Sequence, residues 1–214
     1  ADWYFVTAPL GKPFSGTLDF DCTGDVSIWD PVTGTGSGAA YTAANGHTQV
    51  SLDLPYAGCC FVVFDHTREA AQSAVRDGHT RKKSFEKNWA LSFPEGWGAP
   101  AQMDVKKLVS WKDLPMSEEG KAFSGTATYT KTLKVRKIKS GARYCLNLGS
   151  VEEIAKVFVN GQELGTLWCE PYSIDITGAL KQGSNEIKVE VTSTWFNRLV
   201  FDAGQEESLR RTWV

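Results

Sequence analysis

No apolar run in this 214-residue sequence approaches the ~20 residues that a membrane-crossing helix needs. A charged-then-apolar leader is absent too: Ala1-Asp2-Trp3 runs almost at once into apolar residues, so the chain reads as cut from something longer. Basic excess is missing. Residues 1–87 carry seven basic and ten acidic side chains, and residues 88–214 carry sixteen and fifteen, so neither half has the electrostatic footprint of a nucleic-acid binder. The Arg81-Lys82-Lys83 triplet has no aromatic residue interleaved with it and reads as a solvated face. There is no internal repeat and no low-complexity tract.

Motifs of reactive chemistry are equally scarce. No CxxC pair occurs among the five cysteines (Cys22, Cys59, Cys60, Cys145 and Cys169), which removes the usual zinc and redox signatures. Cys59 and Cys60 are neighbours, point to opposite faces of a strand and do not suit pairing with each other. The expectation is a set of mostly buried thiols, with no disulfide framework. His47, His66 and His79 fall in unrelated loops, no HExxH is present, and no serine sits in a nucleophile elbow. The glycine-rich run at 34–38 is not followed by a helical pattern, so it reads as a flexible turn and not a phosphate cradle.

What the sequence does have is alternation. A hydrophobic fraction of 42% is enough for a packed core. Runs at 3–6, 18–22, 26–29, 39–43, 50–54 and 61–64, separated by Gly, Pro, Asn and Asp, predict a small antiparallel sandwich over residues 1–66. Residues 67–87 read as an exposed linker with a short helical segment around Ala70, Ala71, Ala74 and Val75. A second domain, residues 88–214, opens on a strand carrying Trp89, Leu91 and Phe93. Val105, Leu108 and Val109 suggest a helical turn within 103–111, and 114–120 reads as loop. Ala127, Tyr129 and Leu133 share one strand face, and Tyr144, Leu146 and Leu148 line the next strand.

The stretch 151–192 organises this second half. Asn160-Gly161 is the two-residue turn of a tight hairpin, because both residues accept the positive φ of a type I′ turn. Ile187, Val189 and Val191 then alternate with Lys188, Glu190 and Thr192, the mark of a half-buried antiparallel strand. The VNG turn, the LGTLW after it, the proline before YSIDITGAL and the strand GSNEIKVEVT resemble the sugar-binding, galactose-binding-like jelly roll of glycoside hydrolases. FSGTATYTKTL (123–133), LNLGSVEEIAKVFVNG (146–161) and TWFNRLVFD (194–202) resemble the C-terminal region of glycoside hydrolase family 106, the α-L-rhamnosidases. IWDPVTG (28–34) and FVVF (61–64) are similar to the sandwich just upstream in that family.

The resemblance implies an all-β chain of two antiparallel β-sandwich domains, the second a galactose-binding-like jelly roll. It implies that catalysis belongs to a separate barrel in the parent protein, which is this region's partner, and that the protein is periplasmic or secreted. The residues agree. Glycoside hydrolysis needs two carboxyl groups facing across the bond, whereas the acidic residues here come as the adjacent pairs Glu118-Glu119, Glu152-Glu153 and Glu206-Glu207, read as surface charge. Sugars bind by stacking on aromatic rings while polar side chains take the hydroxyls, so the aromatics of the second domain (Trp97, Trp111, Trp168, Tyr172 and Trp195) come into view. The carbohydrate-contact candidates are Trp168, Glu170, Tyr172 and Arg198, with Asp175 nearby. Such domains often hold a structural calcium, but no acidic loop here has the density for one, so no cofactor is expected. The rival reading is a structural or adhesion-type sandwich of a cell-surface protein with no sugar role. Strand parity continued from Val189 and Val191 predicts that Trp195 and Asn197 face the core and that Arg198 emerges on the opposite face, free to pair with a carboxylate such as Asp202 or to reach the barrel of the parent enzyme.

Overall fold

The computed structural model describes residues 1–68 and 81–213. The chain divides into two units, Ala1–Lys82 and Lys83–Val214. The helical segment expected around Ala70–Val75, and His79, lie outside the described residues.

The first unit holds strands β1 (Asp2–Thr7), β2 (Phe14–Phe20), β3 (Asp25–Trp29), β4 (Gly36–Gly38), β5 (Tyr41–Ala44), β6 (His47–Leu54) and β7 (Cys59–Asp65). They form two antiparallel sheets, β1-β7-β3-β4 and β2-β6-β5. β6 shows how the sequence does this: its burial alternates without a break, placing Thr48, Val50, Leu52 and Leu54 inside. These meet Val62 and Phe64 of β7 and Val26 of β3 in one core. The glycine-rich run is not wholly a turn. Gly34 makes the bend with φ 66°, but Gly36–Gly38 pairs with β3. A Cβ on Gly36 would lie 2.6 Å from the Trp29 indole, so glycine lets this short strand pass against that ring. Outside the sandwich, Trp3, Phe5, Trp29 and Phe61 form an aromatic row, with centroids 5.1–5.9 Å apart.

The second unit contains β8 (Trp89–Ser92), β9 (Gln102–Val105), α1 (Glu118–Lys121), β10 (Thr126–Val135), β11 (Cys145–Asn147), β12 (Ile154–Val159), β13 (Gln162–Leu167), β14 (Ser173–Asp175), β15 (Gly183–Thr192) and α2 (Phe196–Ala203). One antiparallel sheet has the order β13-β12-β15-β10-β8-β9, and β11 pairs with β14 in a second. The chain is thus all-β, built of antiparallel sheets in both units. The β12–β13 turn is as the sequence requires: Asn160 and Gly161 have φ of 53° and 81°. Asn160 then works beyond the turn. Its Nδ2 donates to Asn185 Oδ1 (2.9 Å) and its Oδ1 accepts from Glu186 N (3.1 Å). Asn185, fully buried, also accepts from Lys181 N and donates to Lys181 O and Gly183 O, so its amide is satisfied.

Four local expectations are corrected. Strand β9 (Gln102–Val105) occupies the start of the 103–111 stretch, and the 3₁₀ turn begins only at its last residue, Trp111–Asp113. Val105 serves as the buried end of an edge strand and Leu108 and Val109 stay half exposed, so the i, i+3, i+4 spacing was coincidental. Residues 114–120 are not all loop, because Ser117 caps α1 by accepting from Gly120 N. Strand parity fails after Thr192, where the chain turns into α2. Trp195 is exposed, Asn197 is exposed, and Arg198 and Asp202 are buried, the reverse of the expectation. The expected Arg198–Asp202 pair does form. Of the thiols, Cys22 and Cys60 are buried but Cys145 is exposed and Cys59 half-buried, so burial is less general than the sequence suggested.

Candidate functional site

The inner face of the six-stranded sheet is covered in two places. The β11–β14 pair and its flanks close one cluster around Ala155, Val157, Ile187 and Val189. The Trp111 turn and Leu114 close another around Leu91, Phe93 and Phe123. Tyr129 and Val191 pack against both. Between the two covers a cleft of about 860 Å³ opens, within the range of small-molecule sites.

Its walls are apolar and its rim is polar. Tyr129, Val189, Val191, Trp89 and Trp111 supply ring and aliphatic surface. Trp111 Nε1 donates to Tyr129 Oη at 2.8 Å, which fixes both rings; burial pushes the Tyr129 phenol up from its ordinary pKa, against the pull of that hydrogen bond. Around the mouth stand Asn147 at the end of β11, Ser150, Glu152 and Glu153 from the β11–β12 loop, Ser193 and Thr194 from the segment after β15, and Phe196 and Asn197 from the start of α2. Such a set can hold a polyhydroxylated ring, with C–H faces on the aromatics and hydroxyls donating to carboxylates and amides. Glu152 and Glu153 are consecutive residues on one rim. Their backbone is pinned: Glu153 N donates to Thr192 O (3.0 Å) and Glu153 O accepts from Tyr172 Oη (2.8 Å).

Placing the sequence candidates against this geometry separates them. Tyr172 is buried; it holds the glutamate loop from behind and its ring does not line the cleft. Trp168 and Glu170 are exposed, away from the cleft lining. Asp175 is occupied locally: it accepts from Thr177 N (2.8 Å) and from Arg143 Nε (2.7 Å), and its pKa is lowered first by the Thr177 hydrogen bonds and then by Arg143, against burial.

Arg198 belongs to a separate buried cluster. Its Nη2 lies 2.7 Å from Asp202 Oδ1 and its Nη1 3.5 Å from Glu119 Oε1. Trp97 stacks near two guanidinium groups, Arg198 at 5.7 Å and Arg211 at 5.6 Å, and Trp195 meets it edge-on at 5.3 Å. Gly98 makes room, since a Cβ there would sit 2.5 Å from Glu119 Cγ. Asp202 Oδ2 accepts from Arg211 N, Thr212 N and Thr212 Oγ1. Burial raises the Asp202 pKa, but Arg198, Thr212 and these amides outweigh it and hold the carboxyl at about 2.

None of the four candidates lines the cleft. Glu152, Glu153, Trp111 and Asn197 do, although the sequence alone suggests surface charge, one aromatic among several and a buried amide. The one sequence signal was the loop LGSVEE ahead of β12, polar residues placed directly before a strand of the central sheet.

Residues 118–209 match the family model described as glycosyl hydrolase 2 galactose-binding domain-like. Over 116 residues, 53% of the chain, the sequence is 42% identical to a protein of Formosa agariphila named provisionally as a beta-glucuronidase. A solved rhamnosidase structure from Novosphingobium sp. PP1Y aligns over 99% of the chain with a TM-score of 0.88 and 32% identity. The chain spans 10% of the first relative and 20% of the second. The family model and the fold agree that residues 118–209 form a galactose-binding-like β-sandwich, and the chain is similar over part of their length to two proteins named as glycosidases.

Proposed function

We propose that this chain is the non-catalytic C-terminal sandwich region of an α-L-rhamnosidase-like glycoside hydrolase of family 106, bracing a catalytic barrel in the parent protein and contacting carbohydrate at the cleft. The observation that carries this reading is the 32% identity to a rhamnosidase across both units, 99% of the chain. The local chemistry supports it. The cleft joins aromatic surface to hydrogen-bonding groups, and its paired glutamates stand side by side, whereas hydrolysis uses carboxyl groups on opposite sides of the scissile bond. Bracing is supported by α2, which buries Arg198 and Asp202 and turns Phe196 and Val200 outward, the inverse of a helix in solution. A parent protein that degrades polysaccharide would act in the periplasm or outside the cell.

The test is a pair of assays on the purified chain. Aryl α-L-rhamnoside and aryl β-glucuronide should both remain intact, and rhamnose-containing oligosaccharides should perturb the amide and indole NMR signals of the cleft, with Trp111 among them. Turnover that survives repurification and vanishes in Glu152→Gln or Glu153→Gln would overturn the non-catalytic reading. Saturating oligosaccharide with no perturbed signal at the cleft would remove its sugar role.

A further inference from the structure

One end of the first unit gathers three metal-ligating side chains from three segments. Asp2 opens β1, Cys22 lies just beyond β2, and His66 just beyond β7. Their ligand atoms all fall within 4.8 Å of one another, one such group among the described residues. Asp2 Oδ2 is 3.4 Å from Cys22 Sγ and 3.2 Å from His66 Nε2.

The surroundings orient these groups. His66 Nδ1 lies 2.8 Å from the carbonyl oxygen of Thr23. A carbonyl only accepts, so Nδ1 carries a proton and Nε2 is the ring nitrogen turned toward the Asp2 carboxylate. The backbone of Cys22 is fixed in turn, since buried Thr48 donates from Oγ1 to Cys22 O at 2.6 Å. Gly24, with φ 141°, lets the loop pass: a Cβ there would lie 2.9 Å from Asp65 O and 3.4 Å from His66 Nδ1. A histidine held by a backbone carbonyl at its far nitrogen is the usual outer support of a metal ligand.

We propose that Asp2, Cys22 and His66 form a zinc site, with the fourth position taken by water. Tetrahedral Zn²⁺, with bonds of about 2.3 Å to sulfur and about 2.0–2.1 Å to nitrogen and oxygen, separates its ligand atoms by roughly 3.3–3.6 Å. The Cys22–Asp2 contact of 3.4 Å has that spacing, the His66–Asp2 contact of 3.2 Å is about 0.1 Å shorter, and all three ligand atoms lie within 4.8 Å of one another. Thiolate and imidazole together favour zinc over calcium or magnesium. On binding, the Cys22 thiol gives its proton to solvent and the thiolate ligates. The site ties β1 and β7 of one sheet to the loop leaving β2 of the other, a staple across the open end of the sandwich.

The experiment uses the full chain, stripped with chelator and dialysed against ZnCl₂, with bound metal measured by mass spectrometry and geometry read from a CoCl₂ titration. One equivalent of zinc is expected, and Co²⁺ should give a thiolate charge-transfer band with the intense visible absorption of a tetrahedral site. Both should be lost in Cys22→Ser and in His66→Gln, the latter a half-exposed position whose change leaves the core untouched. They should persist in Cys145→Ser and Cys59→Ser. Absence of the band in the parent chain, or its survival in His66→Gln, would overturn the proposal and leave an Asp2–imidazolium pair as the account of this cluster.

Discussion

Arg198 and Asp202, one turn apart on α2, form an ion pair at 2.7 Å with each side chain only 1% exposed. Asp202 spends its other oxygen on the backbone and hydroxyl of Thr212 and the amide of Arg211. The pair therefore fastens α2 and the chain after it to the sheet, helped by Ser124 Oγ, which accepts from Arg198 N at 3.2 Å.

Removing one partner of this pair leaves a buried, uncompensated charge. Arg198→Ala should cost about 3–5 kcal/mol, read as the loss of unfolding free energy in a urea titration. Trp195→Ala deletes a half-exposed ring whose aromatic neighbour is Trp97 and should cost only about 1 kcal/mol. The reverse order would place the load on the aromatic contact and not on the ion pair.

Acid should attack the same point. The Asp202 carboxyl titrates at about 2 in the folded protein, against about 3.9 in an unfolded chain. The native state thus favours the ionised form. Its contribution is complete above about pH 4 and disappears as the pH falls through 4 toward 2. Thermal unfolding of the second unit, followed from pH 5 to pH 2, should show a steep decline that Asp202→Asn makes shallower, starting from a lower melting temperature.

The Asn160–Asn185 contact should couple the hairpin to β15. Asn185→Ala strips a fully buried amide from partners at Lys181, Gly183 and Asn160, leaving groups that each cost roughly 1–3 kcal/mol when unpaired. A double-mutant cycle with Asn160→Ala should give an interaction energy of about 0.5–3 kcal/mol. Additive single and double variants would show that the two amides act independently.

Tyr129→Phe removes the acceptor of the Trp111 indole N–H. It should destabilise the chain by about 1–3 kcal/mol and loosen one wall of the cleft, seen as broadened or shifted Trp111 indole signals. An unchanged indole resonance would mean that packing alone holds Trp111 in place.

Val200, exposed on the apolar side of α2, tests the bracing role. Val200→Lys should leave the unfolding free energy of this chain within about 0.5 kcal/mol of the unsubstituted chain and improve its solubility. In the complete enzyme it should lower stability, because a charge would then enter an interface. Equal behaviour in both contexts would mean that this face stays in water.

Alternation and turn chemistry decided most of the sheet before any contact was known. The period-2 pattern of β6 and β15 and the Asn160-Gly161 turn are local: side-chain parity and positive φ follow from a few adjacent residues, whatever lies across the sheet. From Trp195 to Asp202 the same local reasoning failed, because apolar residues at 195, 196, 199 and 200 suit either period and the choice lay with partners far along the chain. Arg198 is buried since Glu119, Asp202 and Trp97 converge on it, and Asp202 since residues 211–212 return to it. The cleft likewise arises where two covering segments fail to meet over one sheet, and the Asp2–Cys22–His66 group where three strand ends coincide. The sequence by itself determined which segments would be strands and where the hairpin would turn; only the tertiary structure decided which charges are buried and which polar groups share a site, because those depend on distances between residues that no sequence period connects.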